Sequence, residues 1–207
     1  PQPASGVAAA PEFAWAVQGR EKVAQSQLIG KQEIGAEVGG FALADLHGEQ
    51  CNLDQYLEGK KGAVVVFWSG DCAHCVRYDP YLNSFTERHP ELALVAVASR
   101  HGETLEGIRV TVAARGLAFP ILHDPSGAVA RQWFTQQTPR VFLLDAHRVL
   151  LYRGAIDNYK YPQDPDYQPY LEPAIASFLA GEPVARPETA SFGCAIQSVY
   201  YILPNPL

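Results

Sequence analysis

Two cysteines separated by two residues carry the most reactive chemistry in this chain. Cys72 and Cys75 stand in the segment FWSGDCAHC, which follows directly on the apolar run AVVV at residues 63–66. A pair with this spacing can be a dithiol/disulfide couple, half of a zinc site, a haem attachment site or a coincidence. The residues around the pair distinguish these four possibilities.

The haem and zinc alternatives find little support in the sequence. Covalent haem attachment requires CxxCH, and the residue after Cys75 is Val76. A structural zinc site needs four ligands, usually from two close pairs, whereas Cys51 and Cys194 are isolated. An inert pair is the remaining alternative, because a free cysteine is often merely a small core residue. We therefore expect a redox couple and no metal site.

The position of the pair favours a reactive thiolate. The pair lies where a buried strand gives way to a helix, so Cys72 stands at the helix start and Cys75 in its first turn. Unpaired N–H groups and the helix dipole at such a place stabilise a thiolate, which is the attacking form. We predict that Cys72 is the nucleophile and Cys75 the resolving thiol. Apart from the Cys72–Cys75 redox disulfide itself, no cofactor is expected.

The elements that must position the pair alternate along the chain. A hairpin in GGFALADLHGEQCNL, with its turn at His47-Gly48, precedes the strand GAVVVFW, and CVRYDPYLNSFTERH has apolar residues at helical spacing. The later segments are strand ELALVAVAS, helix GETLEGIRVTVAARG with Gly116 as its C-cap, a short strand at 119–122, helix PSGAVARQWF, strand pair PRVFLLDAHRVLLYRG and helix QPYLEPAIASFLAG. This order predicts an α/β fold in which helices flank a central mixed sheet.

One domain with two extensions is expected from the 207 residues. Residues 1–35 are predicted to form an N-terminal arm with a short helix in EFAWAVQGREKVAQ. Residues 36–182 form the domain that holds the cysteine pair, beginning with the N-terminal hairpin. Residues 183–207 form a C-terminal tail.

Composition restricts the partners and the location of the protein. The chain has 16 basic and 22 acidic residues and a net charge of -6. No basic stripe is present, so we expect no nucleic-acid partner. The apolar runs are far shorter than the roughly 20 residues that cross a bilayer, so the chain is not expected to span a membrane. The opening PQPASGVAAAPEF and the absence of methionine favour export to an extracytoplasmic or periplasmic location, with the cytoplasm as the alternative.

The segment FWSGDCAHC, the turn DPSG and the strand QTPRVFLLD resemble the thioredoxin-like redoxin superfamily, which includes AhpC/TSA-type and TlpA-type proteins. The resemblance covers about residues 35–182 and implies a thioredoxin-like fold. It implies that the bond before Pro139 is cis, that Pro139 faces Cys72 and that Trp68 packs beside the pair. Thr138 and Pro139 would then present a backbone edge to the substrate. The segments GAIDNY and IASFLAGEPVARPETASFGCAI resemble a redoxin subgroup with a recurrent Gly-Cys near its end.

The residues beside the cysteines bear on the redox direction. Ala73 and His74 replace the Gly-Pro of thioredoxin-type reductants, while disulfide isomerases and the oxidase DsbA also carry a histidine at the second place. A partly protonated His74 makes the couple more oxidising, whereas the charge of Asp71 raises the thiol pKa, so we expect an intermediate potential. A solvated His74 is the alternative. Asp71, Asp79 and water are candidate proton acceptors, because the strand at 64–66 has no carboxylate.

These features predict a thiol–disulfide oxidoreductase that acts on protein thiols or disulfides or is served by a thioredoxin-type reductant. A peroxiredoxin-like thiol peroxidase is the first alternative, because Ser69 stands where the motif PxxxTxxC has threonine. However, Val65 replaces the proline of that motif, and Pro139 occupies about the place of the peroxiredoxin arginine. Arg140 is expected on the opposite face of its strand. A non-catalytic redoxin-fold binding module is the second alternative.

The two remaining cysteines have no chemistry assigned by spacing. Cys51 begins a hairpin strand, and we expect no catalytic role for it. Cys194 lies in the tail, where it can be free, form a bridge to Cys51 or act as a further resolving thiol.

Overall fold

The computed structural model describes residues 33–196, which contain a seven-stranded sheet with helices on both faces. The strands are β1 (Ala42–Asp45), β2 (Gln50–Asn52), β3 (Gly62–Trp68), β4 (Leu92–Ala98), β5 (Ile121–His123), β6 (Gln137–Thr138), β7 (Arg140–Asp145), β8 (Leu150–Gly154) and β9 (Cys194–Ala195). The helices are α1 (Leu53–Leu57), α2 (Ala73–Val76), α3 (Asp79–Asn83), α4 (Phe85–Arg88), α5 (Leu105–Arg115), α6 (Ala128–Gln132) and α7 (Leu171–Leu179).

The sheet is mixed, as predicted, and β3 lies in its interior. The strand order is β2-β1-β5-β4-β3-β7-β8, and a separate two-stranded sheet joins β6 to β9. Strand β3 runs parallel to β4 and antiparallel to β7. The predicted hairpin is β1 with β2, and the predicted strand pair is β7 with β8. The α/β thioredoxin-like class is confirmed.

Every residue of β3 is buried, and its side chains alternate between two hydrophobic clusters. Val64, Val66 and Trp68 belong to the cluster that also contains both cysteines of the pair, which we call the thiol-side cluster. Val65 and Phe67 belong to the cluster on the other sheet face, which we call the opposite cluster. A strand covered on both faces requires an unbroken apolar run, and this explains the sequence GAVVVFW.

The segment predicted as one helix after the cysteine pair is three short helices, α2, α3 and α4. Pro80 has no N–H to donate to the carbonyl of Val76, so the backbone hydrogen-bond ladder of α2 does not continue into α3. At the second break, the Ser84 hydroxyl donates to the Pro80 carbonyl at 3.0 Å and competes with the backbone ladder. The prediction of a continuous helix is therefore wrong, although its apolar spacing is that of a helix.

Helix α5 ends as its sequence indicates. Gly116 has φ 61° and ψ 43°, in the left-handed region, and its N–H donates to the carbonyl of Val112. This conformation costs glycine little because glycine has no Cβ, so the C-cap predicted at Gly116 is confirmed.

Some expectations fall outside the described part of the chain. The helix predicted in EFAWAVQGREKVAQ and the opening segment that suggested export both lie in residues 1–32, and residues 197–207 are likewise not described. The division into arm, domain and tail stays a prediction. Within residues 33–196, no helix is long and apolar enough to cross a membrane.

Replacing Leu143 by alanine tests the contribution of the thiol-side cluster to stability. Leu143 in β7 is fully buried in that cluster. Because Leu→Ala at a buried site leaves a cavity, we expect the free energy of unfolding to fall by about 2–5 kcal/mol in a denaturant titration. Val110→Ala is the control, since Val110 is 60% exposed and should change that free energy by less than about 0.5 kcal/mol. Equal losses in the two variants would contradict the prediction.

Candidate active site

The loop that follows β3 places the two thiols just beyond the carboxyl end of this interior strand. Cys72 is the N-cap of α2, with φ −94° and ψ 110°, and the Cys75 N–H donates to the Cys72 carbonyl at 2.9 Å. Both cysteines are fully buried and are free thiols. Because α2 has only four residues, it supplies less of a helix dipole than the predicted long helix would.

Thr138, the residue before Pro139, lies against the cysteine pair. The peptide bond between Thr138 and Pro139 is cis, as the redoxin resemblance implied, and the Cys72 sulfur lies 3.2 Å from the Thr138 carbonyl oxygen. The Thr138 side chain also contacts the thiols of Cys72 and Cys75, and among the described residues its buried hydroxyl has no other hydrogen-bond partner. A hydroxyl in this place is available to donate to a thiolate.

Hydrogen bonds and burial make the two thiols very different acids. The hydrogen bond from the Cys75 thiol is the main cause that holds the pKa of Cys72 well below its usual range, at about 4. Burial acts in the other direction on Cys72, while Cys194 and Thr138 lower its pKa further. Burial is the main cause that raises the pKa of Cys75, and Cys72 raises it further. At neutral pH, Cys72 is the thiolate and Cys75 the thiol, which suits the predicted roles of nucleophile and resolving thiol.

Cys194 is a third thiol at the same place. Strand β9 pairs antiparallel with β6 and sets Cys194 opposite Thr138. The Cys194 thiol is hydrogen-bonded to Cys72, and burial raises the pKa of Cys194. Cys51, in contrast, packs against the opposite cluster on the other face of the sheet. The bridge from Cys51 to Cys194 that the sequence left open is not formed, since both are free thiols.

His74 has partners other than the thiolate. Its Nδ1 atom is hydrogen-bonded to the Tyr159 hydroxyl at 2.6 Å, and its ring packs edge-on against Phe192 with the centroids 5.1 Å apart. The pKa of Cys72 is set mainly by Cys75, burial, Cys194 and Thr138. The expected balance between His74 and Asp71 is therefore not the main control of thiol acidity.

The carboxylates proposed as proton acceptors are differently engaged. Asp71 is exposed, like Ala73, and its backbone carbonyl accepts a hydrogen bond from Arg100. Asp79 is buried and accepts a hydrogen bond from Arg115 Nε at 2.7 Å. Within the described residues, no group of three or more His, Cys, Asp or Glu side chains could hold a metal ion.

Trp68 lies where the resemblance implied. It is fully buried at the end of β3, within the thiol-side cluster that contains Cys72 and Cys75. The Arg115 guanidinium lies 5.4 Å from the centre of the Trp68 ring. Trp68 thus supports the thiol site from within the core.

Glu103 is a buried carboxylate that the sequence reading missed. Its Oε1 atom accepts from the Gly70 N–H at 2.6 Å, and burial raises the pKa of its carboxyl. Gly70 precedes Cys72 by two residues, so Glu103 fixes the loop that leads to the thiolate. The strand order could have indicated this contact. Strands β3 and β4 run parallel, so the residues that follow them meet at the carboxyl ends of these strands.

The segment GAIDNY forms one wall of the site. The Tyr78 hydroxyl and the Tyr159 N–H both donate to Oδ1 of Asp157, at 2.6 and 2.7 Å. The Arg77 guanidinium lies 4.7 Å from the centre of the Tyr159 ring. A cleft of about 190 Å³ lies between this wall and Pro139.

Arg140 lies on the face opposite to the cysteines, as the alternation along β7 predicts. Its guanidinium is 5.9 Å from the ring of Phe142, which belongs to the opposite cluster, whereas Val141 belongs to the thiol-side cluster. Arg140 also donates to the Ser191 hydroxyl at 3.2 Å. It therefore lies outside the thiol site.

Comparison with known proteins places this geometry in a family. A sequence model of the AhpC/TSA family matches residues 34–153, more than half of the chain. This chain belongs to the AhpC/TSA family. A solved structure of a hypothetical protein from Sinorhizobium meliloti 1021 resembles the AhpC/TSA-family chain with a TM-score of 0.71 and 30% identity, covering 80% of this chain and 94% of that one.

Two curated relatives of this AhpC/TSA-family chain have names that describe thiol chemistry. Thiol-disulfide oxidoreductase ResA of Bacillus thuringiensis subsp. konkukian is 30% identical over 115 residues, which are 56% of this chain and 65% of that protein. The match thus spans less than two thirds of the length of ResA. The thiol:disulfide interchange protein DsbE homologue of Paracoccus denitrificans is 26% identical over 153 residues, which are 70% of this chain and 78% of that protein.

The low pKa of Cys72 predicts a thiolate that persists in acid. Because its pKa is about 4, thiolate absorbance at 240 nm should stay constant from about pH 8 to pH 6 and fall as the pH approaches 4. Cys72→Ser should abolish this absorbance, while Cys51→Ser should retain it. A titration centred near the ordinary cysteine pKa of about 8.5 would contradict the assignment.

Proposed function

We propose that this AhpC/TSA-family protein is a thiol–disulfide oxidoreductase in which Cys72 attacks and Cys75 resolves. The observation that carries the proposal is the contact between a thiol of lowered pKa and a thiol of raised pKa beside Thr138 and cis-Pro139. A thiolate is the attacking species, and a neighbouring thiol that stays protonated does not compete with it. The names of the ResA and DsbE relatives describe the same chemistry.

The proposed exchange proceeds in two steps. The Cys72 thiolate attacks one sulfur of a partner disulfide, forms a mixed disulfide and releases the other partner sulfur as a thiolate. Cys75 then loses its proton and attacks the Cys72 sulfur, which forms the Cys72–Cys75 disulfide and releases the partner as a dithiol. Two electrons pass to the partner, and the reverse sequence oxidises a partner dithiol. We propose protein thiols or disulfides as substrates and a thioredoxin-type protein as the source of electrons.

The residues around the cysteine pair have different roles in this exchange. The Thr138 hydroxyl, which within residues 33–196 has no partner beyond the two thiols, can donate to the sulfur that carries the negative charge. The backbone of Thr138 and Pro139 supplies the edge on which a substrate polypeptide would lie. Trp68 supports the pair from the core, and Glu103 fixes the preceding loop through Gly70.

Serine variants of the pair test the assignment directly. Cys72→Ser should abolish insulin reduction by dithiothreitol-fed protein, because the thiol of lowered pKa that attacks the substrate is removed. Cys75→Ser should accumulate a mixed disulfide between Cys72 and the insulin chain, detectable by mass spectrometry under non-reducing conditions. Cys51→Ser is the matched control and should keep wild-type turnover. Full turnover in both Cys72→Ser and Cys75→Ser would overturn the proposal.

The two steps should respond differently to pH. Formation of the mixed disulfide should be insensitive to pH above about pH 6, because Cys72 is already a thiolate there. Resolution should accelerate as the pH rises, because burial raises the pKa of Cys75 and the attacking form is its thiolate. Stopped-flow measurement of Trp68 fluorescence, which reports on the adjacent thiols, separates the two rates. A resolution rate that is flat between pH 6 and pH 9 would contradict this assignment.

Thiol peroxidase activity is the second candidate, and the low pKa of Cys72 is the observation in its favour. Arg140 lies on the other sheet face, so it is not placed to polarise a peroxide at Cys72. We expect slow consumption of hydrogen peroxide and of an alkyl hydroperoxide compared with insulin reduction by the same sample. Rapid, Cys72-dependent peroxide turnover would favour the peroxidase, and absence of turnover in both assays would favour the non-catalytic binding module.

A further inference from the structure

The C-terminal strap, defined here as residues 187–196, crosses the redox site and is held on both sides of Cys194. Before Cys194, the Thr189 hydroxyl lies 2.6 Å from the Tyr152 hydroxyl, and both residues are buried. After Cys194, Ile196 is 2% exposed, and its N–H donates to the Gln136 carbonyl at 2.9 Å. The segment between these anchors therefore has a defined path over the thiols.

Between its anchors, the strap pairs with the backbone edge that we assign to the substrate. Strand β9 sets Cys194 opposite Thr138 and Ala195 opposite Gln137 in an antiparallel register. Gly193 lies so close to this edge that a Cβ atom there would be 1.9 Å from the Thr138 carbonyl oxygen. The strap thus occupies the backbone groups that an extended substrate would use by strand addition.

The Cys194 thiol lies where a substrate cysteine would have to lie. Residues opposite each other in an antiparallel pair carry their side chains on the same face, and the Thr138 side chain contacts both thiols of the pair. Cys194 is hydrogen-bonded to the Cys72 sulfur through its thiol and through its backbone N–H. The backbone N–H of His74 donates to the Cys194 thiol. Both the backbone and the sulfur of the strap therefore imitate a bound substrate.

We propose that Cys194 is a third redox thiol of this centre and that the strap is an internal substrate, which exchanges with Cys72 when no polypeptide occupies the Thr138 edge. This inference rests on the proposed function, because that function supplies the Cys72–Cys75 disulfide. The Cys194 thiolate attacks the Cys72 sulfur, the bond from Cys72 to Cys75 breaks, and a Cys72–Cys194 bond forms. Cys75 leaves as a thiolate and takes up the proton that Cys194 lost. The step is an isomerisation and requires no further oxidant.

This arrangement has a consequence for substrate choice. A polypeptide must displace β9 from β6 before it reaches the Thr138 edge. Because Cys194 belongs to β9, this displacement also moves Cys194. Cys75 then resolves mixed disulfides with polypeptides, whereas Cys194 resolves those small enough to leave the strap in place. The two thiols therefore serve different classes of partner at one nucleophile.

Oxidised glutathione provides the test in the full chain. In Cys75→Ser, Cys72 attacks glutathione disulfide, releases one glutathione and carries the other as a mixed disulfide. Cys194 then attacks the Cys72 sulfur and releases the second glutathione, so non-reducing peptide mapping should find a Cys72–Cys194 disulfide. In Cys75→Ser/Cys194→Ser the glutathione adduct should persist. Cys75→Ser/Cys51→Ser is the matched thiol control and should close the bridge as Cys75→Ser does.

The possible outcomes separate this inference from the proposed function. A glutathione adduct that lasts as long in Cys75→Ser as in Cys75→Ser/Cys194→Ser would overturn the role of Cys194 and leave the Cys72–Cys75 exchange intact. No adduct on Cys72 in either variant would overturn both proposals. Closure of the bridge in Cys75→Ser and in Cys75→Ser/Cys51→Ser, together with a lasting adduct in Cys75→Ser/Cys194→Ser, supports the internal substrate.

A glycine variant tests whether the pairing of the strap positions the thiol. Gly193→Ala adds a Cβ that cannot fit against the Thr138 carbonyl, so β9 must move away from β6. In the Cys75→Ser background we expect loss of the Cys72–Cys194 disulfide and persistence of the glutathione adduct. Ala195→Ser, an exposed position on the same strand, is the control and should still form the bridge. Bridge formation at an unchanged rate in Gly193→Ala would contradict the pairing.

Discussion

The antiparallel pairing of β3 with β7 is the constraint on which the site depends. Phe67, near the end of β3, pairs with Arg140, the first residue of β7. The loop that leaves β3 toward Cys72 therefore meets the residues that enter β7, Thr138 and Pro139. A thiol and a backbone edge separated by 66 residues are in contact because both lie at one end of a buried strand pair. The thiol-side cluster packs around the cysteine pair on one face of the sheet, and the opposite cluster covers the other face.

Burial and hydrogen bonding give the three thiols unequal acidity at that position. Burial alone would raise the pKa of each thiol, as it does for Cys75 and Cys194. Cys72 differs because the hydrogen bond from Cys75, with others from Cys194 and Thr138, stabilises its charged form. The pKa of Cys72 is thus lowered, while those of Cys75 and Cys194 are raised. This asymmetry gives a single nucleophile two potential resolving thiols.

Much of the fold followed from local pattern, while the details of the site followed only in part. The unbroken apolar run of β3 predicted a central strand, and Gly116 predicted a helix end, because both signals depend on adjacent residues. The long helix predicted after the cysteines failed at Pro80, whose missing N–H outweighs apolar spacing. Glu103 was missed because it approaches the loop before Cys72 from the neighbouring strand end. The tuning role expected of His74 stays a prediction, and the structure adds that its Nδ1 atom is hydrogen-bonded to the Tyr159 hydroxyl.

The sequence by itself determined the thiol chemistry, because the spacing of Cys72 and Cys75 places both sulfurs within one helical turn. Resemblance to redoxins added cis-Pro139, which the structure contains. Only the tertiary structure decided the neighbourhood of Cys194, which lies far along the chain and reaches Cys72 through the pairing of β9 with β6. Spacing along the chain sets local geometry through the backbone, whereas contacts across the chain depend on which strand edges meet. The position of Cys194 beside Cys72 depends on such contacts across the chain, so spacing alone could not predict it.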